Sequence, residues 1–401
     1  MAEDRTGSGR LAQGIELALR SGAAPLVMGL RWASRRAEEH RGMPPPRGGV
    51  AFASKRALDE VFLVAEMLCA PFVPFRQRRR VVQEIASALE LYRARGWLAD
   101  PVSYHCTPPP ASRLHFEELR SSFLRYRHLS FPSGYAPHIG EPGRTRWMGY
   151  RRNRTAHAWV LEHPGPPRPW LLCLPGYRMG HPLVDFLGFR ARWLHRQLGL
   201  NLAFPVMPLH GPRRVGRLGG DGFFSGDFVD TVHAQAQAVW DARRLVGWLR
   251  ESRGAPAVGG YGVSLGGYTA AVLASLEPLD CVVVGIPASD FARLIRQHAP
   301  GALLRAAEAS GLRMEDVEHL LRVVSPLALA PRVPRERRFL YGALGDRLAS
   351  PDHARDLWRH WDRPRVAWYH GSHVSFLWES AVKSLLEEAF RSTGLVGVHP
   401  H

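Results

Sequence analysis

The stretch GGYGVSLGGYTAA, Gly259 to Ala271, sets a single serine among small residues, behind an apolar run and ahead of a segment of helical character. A serine hydroxyl on a sharp strand-to-helix turn can act as a nucleophile. The turn forces the serine into an uncommon backbone conformation and brings the residues two before and two after it so close that only small ones fit. Gly262 and Gly266 hold those two places around Ser264, and Gly267 follows. The turn also lifts the hydroxyl to a helix N-terminus, where developing negative charge is favoured. Gly-x-Ser-x-Gly by itself is weak, since this glycine and serine content yields about 0.2 chance matches in the chain. The context separates a nucleophile from a structural Gly/Ser turn: Ala257–Tyr261 reads as a strand leading in and Tyr268–Leu276 as a helix leading out.

Such a serine needs a base within hydrogen-bond reach, and the base needs an acid to fix its tautomer. In a strand–turn–helix arrangement of this kind the chain order is serine, acid, histidine. The chain has 19 histidines, so context has to choose among them. In WYHGSHVSFLW, His370 ends a strand, while His373 lies past Gly371-Ser372 on a loop able to aim it at Ser264. His373 is the expected base and His370 the alternative. In FLYGALGDRLASPDHARDLW, a strand ends at Tyr341-Gly342, a loop carries Asp346, and Pro351 opens a helix. Asp346 is the expected acid, with Asp290 in GIPASDF the runner-up. Asp352 and Asp356 suit the N-terminal charge of the following helix. The tetrahedral oxyanion needs backbone donors already in place. One is the Leu265 N–H. The other is expected from LLCLPGYRMG, where Gly176 lets the backbone turn in and offers the Tyr177 N–H; the bland alternative is a plain Pro-Gly turn. Arg178 can follow into the site. PLHGPRR places His210 and Arg213 at another strand end, where Arg213 can hold an anionic part of a substrate.

The elements that must position these groups follow from hydrophobic periodicity. Residues 1–130 read as a helical extension, with Leu58, Val61, Phe62, Val64, Ala65 and Leu68 at helical spacing, then Val81, Val82, Ile85, Leu89 and Leu91. From 143 to 393, strands and helices alternate. Arg146–Tyr150 and Ala156–Leu161 are expected as paired strands; Trp170–Leu174, Asn201–Val206, Ala257–Tyr261, Cys281–Ile286, Phe339–Tyr341 and Val366–Tyr369 as further strands; Phe186–Leu198 and Thr231–Arg250 as helices. This alternation predicts an α/β fold, a mostly parallel twisted sheet with helices on both faces. Residues 290–335 read as a helical insertion at the strand ends, where ligands bind, and 394–401 as a tail.

Lys+Arg number 53 against 36 Asp+Glu, a net charge of +17, and only Lys55 and Lys383 are lysines. Arginine is spread along the chain with small knots at Arg76–Arg80 and Arg335–Arg338, unlike the patch of a nucleic-acid binder, so no nucleic-acid partner is expected. Attraction to an acidic substrate or an anionic membrane surface remains compatible with this charge. Four scattered cysteines, Cys69, Cys106, Cys173 and Cys281, show neither a disulfide framework nor a zinc pattern, which fits a reducing, cytoplasmic compartment. Leu11–Ser34 is apolar but interrupted by arginine and glycine, too broken to span a bilayer; it suits an amphipathic helix packed on the protein or lying on a membrane.

On the residues above, the chain resembles the α/β-hydrolase superfamily: Ser264 in GVSLGG, Asp346 in GALGDRLASP and His373 in GSHVSF match its nucleophile, acid and histidine in order and spacing over about 145–395. More narrowly it resembles the eighteenth group of abhydrolase-domain proteins and their bacterial relatives, through PHIGEPGR, PLHGPRR and GSHVSFLW. The resemblance implies a serine hydrolase with a helical N-terminal portion. It departs from the common oxyanion loop, which begins His-Gly where this chain has Pro-Gly. The expected chemistry is cleavage of an acyl ester, of a small molecule or a lipid, through an acyl-enzyme, with no metal or organic cofactor required. Thioesters and peptides use the same machinery, and a hydrolase fold serving as a non-catalytic binding module is the alternative of another class.

Overall fold

The computed structural model describes residues 42–69, 77–121 and 124–397. The apolar segment Leu11–Ser34 and the end of the tail lie outside these residues. The chain divides between Pro45 and Pro46, and every element of the sheet belongs to the second unit, Pro46–His401. Its elements begin with helices α1 (Val50–Cys69) and α2 (Arg78–Ala94), strands β1 (His115–Arg120) and β2 (Arg125–Pro132), and helix α3 (Arg144–Gly149). Then come β3 (Thr155–Leu161), β4 (Trp170–Leu174), α4 (Pro182–Gly188), β5 (Asn201–Pro205), α5 (Phe228–Glu251), β6 (Val258–Val263), α6 (Leu265–Leu276) and β7 (Cys281–Gly285). The inserted helices α7 (Phe291–His298), α8 (Gly301–Glu308) and α9 (Met314–Leu321) lead to β8 (Arg338–Ala343), α10 (Pro351–His360), β9 (Arg365–Tyr369) and α11 (Ser380–Ser392).

The nine strands form one sheet in the order β1-β2-β3-β5-β4-β6-β7-β8-β9. The first three pair antiparallel, as does β3 with β5, and all remaining neighbours are parallel. Every residue of β4, β5, β6, β7 and β8 is buried. That is why these strands read as short continuous apolar runs: a parallel sheet is covered on both faces, and both sets of alternating side chains must be apolar. The alternation is visible in the packing. Leu171, Cys173, Tyr261, Val283 and Tyr341 enter one core, and Trp170, Leu172, Leu174, Val282, Val284 and Leu340 enter the other. The mostly parallel sheet with flanking helices is the α/β architecture that the alternating pattern implied, and it agrees with the α/β-hydrolase fold that the resemblance implied. Among the described residues no helix is long and apolar enough to cross a membrane.

The structure departs from the sequence-based expectation in three places. The first is 115–130, expected as helix, where β1 and β2 extend the sheet; Leu129 and Phe131 of β2 are buried two residues apart, a strand period. The second is Arg146–Tyr150, expected as a strand. Its first four residues lie in α3, which Tyr150 ends, and the partners of β3 are instead β2 and β5. The cause is long-range: Trp147 is buried with its indole N–H on Gln237 Oε1 at 2.9 Å, and Arg146 is drawn to Glu84, Asp227 and Asp230. The third is the helix expected over Phe186–Leu198, which is broken. The backbone of Arg190 turns left-handed at φ +51°, and only a short wide turn, Trp193–Gln197, follows.

Candidate active site

Ser264 stands alone between β6 and α6 with φ +56° and ψ −119°, a backbone conformation that L-residues seldom adopt. Its N–H donates to the Gly285 carbonyl at 3.0 Å, which ties the turn to the end of β7. Space makes the flanking glycines necessary. A Cβ on Gly262 would lie 2.1 Å from the Gly266 carbonyl oxygen, and one on Gly266 would lie 1.8 Å from the Leu174 carbonyl oxygen. The turn sits where the chain leaves β4 toward β5 on one side and β6 toward β7 on the other, the position in an open parallel sheet where a crevice forms.

Asp346 and His373 arrive on the loops after β8 and β9. His373 Nδ1 donates to Asp346 Oδ2 at 2.7 Å, and Asp346 Oδ1 accepts the N–H groups of Leu348 at 2.9 Å and Ala349 at 2.8 Å. Both side chains are buried. Burial pushes the Asp346 carboxyl up against the pull of the imidazole. For His373, burial alone would lower the pKa, but the Asp346 carboxylate, with a smaller contribution from Asp59, more than offsets this and leaves it above the ordinary histidine value. The alternatives sit elsewhere. His370 Nδ1 accepts the Arg47 N–H at 3.1 Å, and Asp290 caps α7 by accepting the Arg293 N–H at 2.9 Å. Asp356 pairs with Arg293 at 2.7 Å and Asp352 with Arg355.

The loop after β4 passes directly over the serine turn: a Cβ on Gly176 would lie 3.4 Å from Ser264 Cβ. Within this loop the Gly176 N–H donates to Met179 Sδ at 3.0 Å. The backbone N–H groups of Tyr177 and Leu265 have no hydrogen-bond partner among the described residues.

Ser264 and His373 line one cavity of ≈550 Å³, in the size range of a small-molecule site. Its walls are mostly apolar. Phe62 and Leu63 come from α1, Met179 and Leu187 from the β4 side, and Leu294 and Ile295 from α7, so the insertion 290–335 does contribute a wall. Tyr177 and Leu265 also face this cavity.

Three residues expected at the substrate are placed otherwise. Arg213 is fully buried, paired with Asp241 at 2.9 Å and donating to the carbonyls of Val206 and Asn153 at 3.0 Å each; it holds the loop and does not line the cavity. His210 is also fully buried. Its Nδ1 faces the Pro208 carbonyl at 2.9 Å, its ring packs edge-on against Tyr177, and desolvation lowers its pKa to about 4, so it supports the loop after β4 from behind. Arg178 lies beside the cavity, but its charge is already met by Glu66 at 2.9 Å and Asp221 at 2.6 Å.

Sequence patterning reached the inward face of α1 only at Phe62 and missed its polar members. Its apolar periodicity singled out Leu58, Val61, Phe62, Val64, Ala65 and Leu68; of these Phe62 lines the cavity, while Leu58, Val61 and Val64 are exposed. The face turned to the site carries Asp59, Phe62, Leu63 and Glu66. Asp59 is 0 % exposed. The available signal was positional: Lys55, Asp59, Phe62 and Glu66 recur at three- and four-residue steps, one helical face.

No family model matches the chain. Two proteins of Mycobacterium tuberculosis are each 37 % identical to it over 373 residues, covering 92 % of this chain and 89 % of theirs: uncharacterized protein MT2702 of strain CDC 1551 / Oshkosh and uncharacterized protein Rv2627c of strain ATCC 25618 / H37Rv. Among solved structures, the acetyl xylan esterase from Paenibacillus sp. R4 superposes with a TM-score of 0.51 at 15 % identity, over 75 % of this chain and 99 % of that one. That likeness concerns the fold. With a nine-stranded sheet of this order and 37 % identity to the mycobacterial pair over most of both chains, the chain belongs to their family and carries the α/β-hydrolase fold.

Proposed function

We propose that the protein is a serine hydrolase that cleaves an ester with an apolar acyl group. One observation carries the reading: a serine in a strained left-handed turn shares an apolar cavity with a buried histidine whose far nitrogen is bonded to a buried carboxylate. In this mechanism Ser264 Oγ attacks the acyl carbonyl carbon while His373 Nε2 takes its proton. Asp346 holds Nδ1–H, fixes the tautomer and stabilises the imidazolium. The N–H groups of Leu265 and Tyr177 receive the tetrahedral oxyanion, each worth roughly 3 kcal/mol of barrier. The intermediate collapses as His373 returns the proton to the leaving alcohol. Water, activated by the same imidazole, then attacks the acyl-enzyme and frees the acid and Ser264.

The apolar walls contributed by Phe62, Leu63, Leu294 and Ile295 favour an acyl chain over a charged group, which supports a lipid or other amphiphilic ester. The kinship with the eighteenth abhydrolase-domain group is part of this reading and rests on three sequence stretches alone. The test is labelling of the purified protein with a fluorophosphonate, with Ser264→Ala as the control. Labelling of wild type and none of the variant is expected; an equally labelled variant puts the nucleophile elsewhere. A panel of esters of graded acyl length, with and without anionic head groups, then reads the substrate class.

A further inference from the structure

Helix α1 lies outside the sheet, yet it reaches both loops that carry the acid and the histidine. Asp59 Oδ2 accepts the N–H of Arg347 at 3.0 Å, from the loop of Asp346, and the N–H of His373 at 2.9 Å. Its Oδ1 accepts the N–H of Val374 at 3.2 Å. These partners lie 288, 314 and 315 residues away in sequence. The residue next to Asp346 on one side and His373 itself on the other are thus joined through one fully buried carboxylate.

Further contacts seat the helix against these loops. Lys55 pairs with Glu379 at 2.5 Å, and Glu60 takes Arg347 Nε at 2.6 Å. The Phe52 ring packs so closely on Gly345 that a Cβ there would lie 2.8 Å from it. At their bases the two loops are already linked without α1, by Leu344 N–H to the Tyr369 carbonyl at 3.0 Å and Gly345 N–H to the Gly371 carbonyl at 2.9 Å. The tips, where Asp346 and His373 stand, gain the further link through Asp59.

We propose that Asp59 is a positioning residue of the active site: its carboxylate, carried in by a helix outside the sheet, clamps the loop of Asp346 to the loop of His373 so that imidazole and acid keep their register. Asp59 touches no substrate; it acts through the two loops. This rests on the hydrolase reading of Ser264, Asp346 and His373. A buried carboxylate suits the task because its two oxygens take three N–H donors that converge from separate loops, whereas a neutral amide offers one acceptor oxygen and a competing donor.

The test uses the full chain as wild type, Asp59→Asn and Asp59→Ala. Read out are kcat and KM on a p-nitrophenyl ester, the fluorophosphonate labelling rate per folded molecule, the melting temperature, and the downfield proton resonance of the His373 Nδ1–H. Loss of all three bonds in Asp59→Ala should lower kcat and labelling about 100-fold, the scale for misplacing a reacting group by about 1 Å, with KM within about twofold. Asp59→Asn can keep the two bonds at Oδ2 while opposing Val374, and should recover about tenfold of that loss. The Nδ1–H resonance should shift or broaden in the same rank order. If Asp59→Ala does not fold, Asp59→Asn against wild type decides. Wild-type kcat and labelling per folded molecule in both variants, with only the melting temperature lowered, would overturn the proposal. An Nδ1–H signal identical in all three proteins would overturn it as well. Should wild type itself not label, the hydrolase reading fails separately, and the resonance still decides whether Asp59 sets the His373–Asp346 register.

Discussion

Replacing Gly266 by alanine adds one methyl group at the point where the serine turn meets the end of β4. Gly266 has no positive φ, so alanine's backbone preferences are not the obstacle. Space is. The new Cβ would stand 1.8 Å from the Leu174 carbonyl oxygen and 2.5 Å from that of Pro175, both main-chain atoms, while real Cβ contacts essentially never fall below 3.0 Å. The turn and the β4 end must therefore part by about 1 Å, which moves Ser264 and Leu265 relative to the Gly176-Tyr177 loop; a shift of this size costs about 100-fold in rate. Overpacking adds roughly 1–3 kcal/mol of destabilisation, a fall of a few degrees in melting temperature for a chain of this size. Gly267→Ala is the internal control, since its Cβ would lie 3.0 Å from the Gly285 oxygen and asks for far less movement. The assay is the second-order rate of fluorophosphonate labelling per folded molecule, alongside thermal melting. Gly266→Ala is expected to lose about two orders of magnitude and Gly267→Ala only a few-fold. A Gly266→Ala protein that labels at the wild-type rate would refute the claim that the turn and the β4 loop form one rigid reacting unit.

The pH dependence of kcat/KM should show an acid limb shifted upward from the ordinary histidine value, because the base must be neutral and Asp346 holds the His373 pKa up. Asp346→Asn should move that limb to lower pH and cut the rate about 10,000-fold; a limb that stays in place would show that His373 is not the titrating base. Stability should fall in acid. His210 and His353 are fully buried, and desolvation lowers their pKa values to about 4 and about 3. The unfolded chain takes up their protons below pH 6.5 and the folded chain does not, so the stabilisation is complete above that value and is lost as the pH falls toward 4 and below. By pH 5 each imidazole should cost roughly 2 kcal/mol, measurable as a lower urea midpoint than at pH 7; equal midpoints would contradict the buried neutral state.

Much of the architecture was legible because its causes are local. Strands covered on both faces have to be apolar throughout, so Trp170–Leu174 and Cys281–Ile286 announced themselves in the chain. The serine turn was legible for a similar reason: Gly262 and Gly266 are required by the approach of main-chain atoms, whatever surrounds them. Elements whose form depends on distant partners were not. The helix at Arg144–Gly149 reads as a strand until Glu84, Asp227, Asp230 and Gln237 are brought beside it. Arg213 reads as a substrate contact until Asp241 buries its charge.

The sequence by itself determined where the bend at Ser264 falls and the run of parallel strands, since each is dictated by steric fit or periodicity within a few residues. Tertiary structure alone decided which face of α1 turns inward. Of its apolar stripe Phe62 turns to the cavity while Leu58, Val61 and Val64 stay exposed, and the inward face also carries Asp59, which accepts three backbone N–H groups from loops near the other end of the chain. Donors that leave water on folding require an acceptor, and which residue meets them is settled only once the distant loops arrive.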